Sequence, residues 1–253
     1  MKHRKYGLAG FPVQHSFSKD FFTKKFQQLA VDADFLLFEN PSLNVVMDEI
    51  LRVEGLKGFS VTKPFKEQII SRLDMLDKTA AAVGAVNCVK ISRNKNGKPV
   101  FLEGYNTDIT GFEFSLKKYL QPHHNQALIL GTGGAAKAVA YVLEKLQIEY
   151  LFVTRTPTGC KHIRYSILHR QLMEEHTVII NATPLGMFPD TGSFPPLPYE
   201  YAGKNHLFFD LVYNPDKTLF LKKAEARGAT IVNGLEMLYK QAEAAWEIWN
   251  ARE

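Results

Sequence analysis

The sequence predicts an α/β fold built from two α/β domains. The first has a mainly parallel sheet, the second is a Rossmann-type domain, and a cleft lies between them. Three observations carry this. Strand-like and helix-like segments alternate almost throughout, as they do where each strand feeds a crossover helix. An apolar run, Leu128-Ile129-Leu130, leads directly into the glycine-rich turn Gly131-Thr132-Gly133-Gly134-Ala135-Ala136. A polar stretch, Gln121-Pro122-His123-His124-Asn125, reads as a linker between two such systems. The length of 253 residues suits one large domain or two modest ones.

Taken in order, Lys5–Gly10 is a short apolar strand. Ser18 is the expected cap of a helix reaching Leu29, with Phe21, Phe22 and Phe26 on one face. Asp34–Glu39 is a second strand, Ser42–Val53 an amphipathic helix, and Gly58–Val61 a third strand. Pro64 suits the first turn of the helix that follows. Asn87–Ser92 and Pro99–Glu103 are strands joined by the turn Asn94-Lys95-Asn96-Gly97, so they should pair antiparallel at that edge. Thr107 caps a helix from Asp108 to about Leu120. Beyond the polar stretch come strands Ala127–Leu130, Tyr150–Val153, Thr177–Ile180, His206–Leu211 and Thr230–Val232. The stretch from Pro157 to Met173 lacks a clear amphipathic helix. A last helix, Leu235–Asn250, carries Leu238, Ala242, Ala245, Trp246 and Trp249 on one face and is placed to return to the first domain. The expected domains are 1–106, completed by 235–253, and 107–234.

Composition narrows the function classes. Apolar residues at 45% and charged residues at 23% exclude a disordered tail, a collagen-like rod and a small disulfide scaffold. No apolar run reaches the ~18 residues of a membrane span. The basic start, Met1 to Lys5, is not followed by a signal-peptide pattern. Cys88 and Cys160 stand in no metal or redox spacing, and the eight histidines show no ligand spacing. No metal is therefore expected, and the cytoplasm is the expected compartment. The net charge of +5 suits small anionic ligands. The basic residues are spread rather than clustered, so neither nucleic acid nor membrane is an expected partner.

The glycine turn has the G-x-G-x-x-A form of a dinucleotide loop. The first glycine makes the tight turn, the second lets backbone approach a pyrophosphate, and the small third residue lets helix pack on strand. Helix N–H groups then meet the phosphates. The next strand ends in Val153-Thr154-Arg155-Thr156, with no acid there; Glu149 stands at its other end. Arg155 can pair with a 2′-phosphate through its planar fork, Thr154 and Thr156 can donate hydroxyls, and Lys161 can add charge. This predicts NADP(H) rather than NAD. A glycine turn that merely tightens packing, with Arg155 an ordinary surface arginine, is the plainer alternative.

In the first domain, Gln14 to Ser18 can bind an anion such as a carboxylate, although capping alone explains it. Lys66, in Val61-Thr62-Lys63-Pro64-Phe65-Lys66, sits where the positive end of a helix disfavours a cation, which makes a lysine usable as acid or base. Asp108, in Asn106-Thr107-Asp108, sits at a helix start that favours a carboxylate. Each has a bland reading alone, as an exposed lysine and a cap. The combination of Lys66, Asn87 and Asp108 with a dinucleotide loop tips the balance.

Taken together, these pieces resemble the shikimate dehydrogenase family over almost the whole chain. The matching motifs are HSFS at His15–Ser18, VTKPFK at Val61–Lys66, GAVN at Gly84–Asn87 and NTD at Asn106–Asp108. GTGGAAKA follows at Gly131–Ala138, then TRT at Thr154–Thr156 and NATPLGM at Asn181–Met187. DLVYNPDKTLFL at Asp210–Leu221 and NGLEMLYKQA at Asn233–Ala242 complete the series. The resemblance implies NADPH-dependent reduction of 3-dehydroshikimate to shikimate, in aromatic amino acid biosynthesis, by a monomer or homodimer. It implies that Ser16 and Ser18 hold the substrate carboxylate. Thr62, Asn87 and Gln241 would bind ring hydroxyls, and Tyr213 would lie beside them. Lys66 and Asp108 would be the catalytic pair. Gly131, Gly133, Gly134 and Ala135 would cradle the pyrophosphate, with Thr154, Arg155, Thr156 and Thr183 also on the cofactor, while Gly234 and Met237 would support the nicotinamide. Family members carry Asn where Ser60 stands and Asn-Arg-Thr where this chain has Thr154-Arg155-Thr156; both are hydrogen-bonding replacements. A quinate/shikimate dehydrogenase of broader range is the alternative within enzymes. A non-catalytic NADP-binding sensor is the alternative outside them, and keeping both Lys66 and Asp108 argues against it.

Overall fold

The structure is a computed structural model and describes residues 3–14, 16–94 and 99–251. His15 and the turn residues Lys95, Asn96 and Gly97 lie outside the described residues. The chain divides into two compact units, Met1–Thr107 with Ala242–Glu253, and Asp108–Gln241.

The first unit contains β1 (Arg4–Gly10), α1 (Phe17–Gln28), β2 (Ala33–Glu39), α2 (Leu43–Arg52), β3 (Leu56–Val61), α3 (Phe65–Gln68), β4 (Met75–Leu76), α4 (Lys78–Val83), β5 (Cys88–Arg93) and β6 (Pro99–Tyr105). The second contains α5 (Asp108–Lys117), β7 (Gln126–Leu130), α6 (Gly134–Lys145), β8 (Glu149–Val153), β9 (His162–Ile163), α7 (Arg170–Glu175), β10 (Val178–Asn181), β11 (Leu207–Asp210), α8 (Leu219–Glu225) and β12 (Thr230–Val232). Helix α9 (Leu235–Asn250) begins in the second unit and finishes in the first.

In the first unit the sheet order is β2-β1-β3-β5-β6-β4. β1 pairs parallel with β2 and β3, and β4 parallel with β6, while β5 runs antiparallel between β3 and β6. The expected antiparallel pair is present, but it is not the edge, because the short strand β4 lies outside it. That strand and helix α4 escape a periodicity reading through brevity. Asp77 announces α4 all the same, since its carboxylate accepts from the N–H groups of Thr79 and Ala80.

Helix α1 corrects one expectation. Its cap is Ser16, not Ser18. Ser16 keeps extended backbone and its Oγ accepts from the Ser18 N–H at 3.2 Å. Ser18 is already in the first helical turn and is buried, so it cannot be the half-in residue that a cap must be. Phe22 and Phe26 are buried while Phe21 is only partly so. Phe22 stacks on Phe35 at 4.8 Å, and Tyr6 packs against Trp246 and Trp249 of α9, both at 5.3 Å. Trp249 donates its indole N–H to the Val89 carbonyl at 3.0 Å. Gly58 makes room for that ring, because a Cβ there would lie 2.2 Å from it.

The second unit has sheet order β12-β11-β10-β7-β8-β9, with every ladder among the described residues parallel. The strands are near-continuous apolar runs, as expected of a sheet covered on both faces. Leu128, Leu130, Ile179 and Phe208 meet Met173 of α7 and Phe220 and Leu221 of α8 on one face. On the other, Phe112 of α5 meets Phe209 edge-on at 5.1 Å. From β7 the chain winds one way to β8 and β9, then the other way to β10, β11 and β12. The order reverses between β7 and β10, where parallel sheets of this kind bind ligands at the carboxyl edge.

Two further stretches differ from the sequence reading. Gln121 to Asn125 is a bonded turn within the second unit rather than a linker between two units. The Gln121 N–H donates to Nδ1 of the buried His124, and both His123 and His124 bond the Asn205 carbonyl. The segment after Thr156 forms β9, a 3-10 turn and, past it, α7 capped by the His169 ring. These pieces are too short for a helical period to show.

Candidate active site

In the first unit the site residues leave the same ends of adjacent strands. β1 and β3 run parallel with Ala9 opposite Val61, so the segments beyond Gly10 and Val61 emerge together. Backbone bonds tie them, Thr62 N–H to the Ala9 carbonyl at 2.9 Å and Phe11 N–H to Lys63 at 3.0 Å. Gly10 allows the approach, since a Cβ there would lie 2.3 Å from the Thr62 methyl. β5 runs antiparallel to β3, so its start lies beside the end of β3, and the Val61 N–H donates to the Asn87 carbonyl at 2.8 Å.

Lys66 is half-buried in the first turn of α3, and its carbonyl accepts from Val86 at 2.7 Å. Asn87 is 3% exposed. Its amide donates to Thr107 Oγ1 at 3.0 Å and its oxygen accepts from the Thr107 N–H at 2.7 Å. That pair fixes the residue immediately before Asp108. Ser16 follows a turn closed by its own N–H on the Val13 carbonyl at 3.0 Å. Thus Ser16, Thr62, Lys66 and Asn87 stand on segments gathered at one end of the sheet, with Ser18 buried in the first turn of α1.

In the second unit the residues expected on the cofactor gather at the switch point. Gly131 follows β7 with φ +102°, a left-handed value that only glycine adopts without strain. A Cβ there would lie 3.2 Å from the Thr183 methyl. Gly133 is the extended residue before α6, and a Cβ on it would meet nothing within 4 Å. Gly134 and Ala135 open the helix, and Ala136 is fully buried where α6 meets the sheet. An open backbone face at the start of a three-turn helix is suited to an anion.

β8 lies beside β7, and Thr154, Arg155 and Thr156 follow its end. The Thr154 hydroxyl accepts from the Thr156 N–H at 3.3 Å, which turns the chain, and Arg155 is exposed. These residues fit an NADP-type dinucleotide, with an unobstructed glycine turn, a cation at the neighbouring strand end and no acid there. The Lys161 ammonium lies 4.2 Å from the Tyr150 ring centroid and 3.7 Å from Glu144.

The remaining second-unit residues cluster on α5, the β10 and β11 ends, and α9. Asp108 starts α5 and is 6% exposed. One turn on, Gly111 has no room for a Cβ, which would lie 2.4 Å from the Met237 carbonyl and 3.2 Å from Gln241 Cβ. Met237 and Gln241 are therefore set against α5. Gln241 donates to the Leu238 carbonyl at 3.0 Å. Gly234 presses on the Leu211 carbonyl, where a Cβ would lie 2.3 Å away, and bonds Val212 at 3.1 Å, next to the half-buried Tyr213.

The sequence reading missed a buried polar node. Asn181 and Asp210, both fully buried, end the adjacent strands β10 and β11 and bond each other at 2.9 Å. Thr218 donates to Asp210 at 2.5 Å. The available signal was a carboxamide and a carboxylate each placed directly after an apolar run. Among the described residues there is no group of His, Cys, Asp or Glu that could hold a metal ion, and no helix long and apolar enough to cross a membrane.

Comparison with known proteins assigns the chain. Residues 8–89 match the family described as the shikimate dehydrogenase substrate binding domain. The NADP(+) shikimate dehydrogenase of Caldanaerobacter subterraneus is 36% identical over 96% of this chain and 90% of that protein. The crystal structure of shikimate dehydrogenase from Aquifex aeolicus superposes with a TM-score of 0.85 at 34% identity, covering 99% of this chain and 94% of that one. The Thermus thermophilus enzyme, solved in complex with NADP(H) and shikimate, gives a TM-score of 0.83 at 30% identity, covering 98% and 94%. With matches of this length and identity, the chain belongs to the shikimate dehydrogenase family.

Proposed function

We propose that this chain catalyses the reversible, NADPH-dependent reduction of 3-dehydroshikimate to shikimate. One observation carries the reading. The chain holds an open glycine turn beside a strand whose end is followed by Arg155, and also a knitted cluster of Thr62, Lys66 and Asn87 suited to a polyhydroxylated acid. The 1–107 unit, with the end of α9, is assigned most of the substrate groups, and the 108–241 unit the cofactor together with the substrate groups Asp108, Tyr213 and Gln241.

When bound, the nicotinamide cofactor supplies the hydride. The chain's own residues bind, orient and protonate. Ser16 uses its oxygen to cap α1, which leaves its hydroxyl hydrogen for a substrate carboxylate. Ser18 adds a second donor. Thr62 and Asn87 offer hydroxyl and amide groups to the ring hydroxyls, joined by Gln241 and Tyr213. Lys66 donates a proton to the ketone oxygen as hydride addition turns it into an alkoxide, and its ammonium stabilises the charge developing there. Asp108 accepts a hydrogen bond from the neighbouring substrate hydroxyl and completes the acid–base pair. Gly131, Gly133, Gly134 and Ala135 receive the pyrophosphate, Thr154, Arg155 and Thr156 the 2′-phosphate side, and Thr183, Gly234 and Met237 the nicotinamide side. A reducing cytoplasm suits the two free cysteines, Cys88 and Cys160.

The test is turnover of shikimate with NADP+ or NAD+, followed by absorbance of the reduced cofactor. Shikimate with NADP+ should be the fastest pair. No turnover with either cofactor overturns the reading in favour of a binding protein, and faster turnover of quinate overturns the substrate assignment.

A further inference from the structure

We propose that Asp210 is a positioning residue of the cofactor face, holding Thr183 over the glycine turn and setting the segment that carries Tyr213 and Gly234. The inference rests on the NADP-binding reading above.

Asp210 is completely buried at the end of β11. Burying a carboxylate is costly, and a leucine would continue the apolar run Leu207–Phe209 without that cost. The carboxylate instead gathers donors from three segments. Its Oδ1 accepts from the Asn181 amide at 2.9 Å and the Val212 N–H at 3.0 Å, and its Oδ2 accepts from the Thr218 hydroxyl at 2.5 Å.

Each donor leads to something useful. Asn181 turns its oxygen to the Thr183 N–H at 3.0 Å and the Thr183 hydroxyl at 2.6 Å. That fixes the Thr183 rotamer, whose methyl stands 3.2 Å from where a Cβ on Gly131 would be. The Val212 bond folds the chain back at the strand end, immediately before Tyr213. The Val212 carbonyl in turn accepts from Gly234 at 3.1 Å, at the start of α9. The Thr218 oxygen also accepts from the Leu221 N–H at 3.4 Å, capping α8. One buried group thus sets the Thr183 rotamer and the course of the chain into Tyr213 and Gly234.

The test measures dissociation constants of NADP+ and of shikimate by calorimetry for wild type, Asp210→Leu, Asp210→Asn, Thr183→Val and the Asp210→Leu/Thr183→Val double variant. Asp210→Leu should weaken NADP+ about tenfold and leave shikimate within about twofold. Asp210→Asn should stay within about threefold of wild type for NADP+, because its carboxamide oxygen keeps the Asn181 and Val212 bonds and Thr218 can turn to accept. Thr183→Val should weaken NADP+ about fivefold, and the double variant should be no weaker than Asp210→Leu alone. Wild-type NADP+ affinity in Asp210→Leu, or additive losses in the double variant, overturns the proposal. Should Asp210→Leu fail to fold, Asn181→Ala decides, since it cuts the link between Asp210 and Thr183 without removing a proposed cofactor contact: an NADP+ loss of about fivefold with shikimate unchanged supports the link, and wild-type NADP+ affinity overturns it. Absence of NADP+ binding by the wild type removes the proposed function and this inference together. Binding by the wild type with unresponsive variants removes only the inference.

Discussion

Single side chains decide the chemistry, so the sharpest expectations sit at this scale. Lys66→Ala removes the proposed proton donor. Turnover should fall about a hundredfold or more while the shikimate dissociation constant changes little, which steady-state kinetics with calorimetry will check. Arg155→Ala should weaken NADP+ about tenfold and leave NAD+ unchanged, because only NADP+ carries the group that a guanidinium fork grips. Asp210 adds a pH signature. Burial pushes its carboxyl from 3.8 up to about 6, against the pull of its three donors. A group with a raised folded pKa contributes stability below its unfolded value and loses it as pH rises through the folded one. The neighbouring titratable group, Tyr199, is pushed further up by burial and stays neutral across that window. Between about pH 7.5 and about pH 5, wild type should therefore gain about 1 kcal/mol over Asp210→Asn in urea unfolding. An unchanged difference would mean the carboxyl is not held in that raised state. Lys66 and Arg155 could be proposed from the sequence only in combination with the dinucleotide loop and the other motifs, because each has an ordinary surface reading alone. Asp210 could not, since its importance comes from Asn181 and Thr218 meeting it through the sheet register and a returning turn.

At the scale of elements, the glycine turn is where backbone conformation and ligand fit coincide. Gly131 needs a positive φ and also leaves room for the Thr183 methyl. Gly131→Ala should cost about 1–2 kcal/mol of stability and reduce NADP+ affinity about tenfold, read by thermal unfolding and calorimetry. A variant with native affinity would show that the turn does not carry the cofactor. Elements with a repeating pattern or an uninterrupted apolar run were readable: Leu235–Asn250 is the last helix as observed, and the apolar runs Ala127–Leu130 and Thr230–Val232 lie within a residue of their strands. Short ones had no period to read, as β4, β9 and α7 show. The Ser16 cap of α1 was misplaced by two residues because Ser16 and Ser18 are both good caps by type, and only backbone conformation separates them.

At the scale of the whole molecule, the chain order and the folding units do not coincide. The last residues of the chain, from Ala242 on, belong to the unit built from its beginning. What ties them there is aromatic packing. Trp249 is 4% exposed, contacts Tyr6 and Phe22 at ring separations of 5.3 and 5.1 Å, and anchors its indole on Val89. Lys25 and Glu243 add an ion pair at the partly exposed rim, where such a pair contributes little. The sequence showed the apolar stripe of α9 but not its partners, because Gly58 as a receptor for an indole is visible only once β3 and β5 are paired. Trp249→Ala leaves a large void and an unsatisfied carbonyl in a close-packed core, a change worth about 3–5 kcal/mol. The loss should fall on the unit that holds Lys66 and leave the glycine-turn unit intact. Urea unfolding followed by circular dichroism should then separate into two transitions, the earlier one abolishing shikimate binding while NADP+ binding survives to the later one. A single transition at the wild-type midpoint would mean that the end of α9 is not what completes the first unit's core.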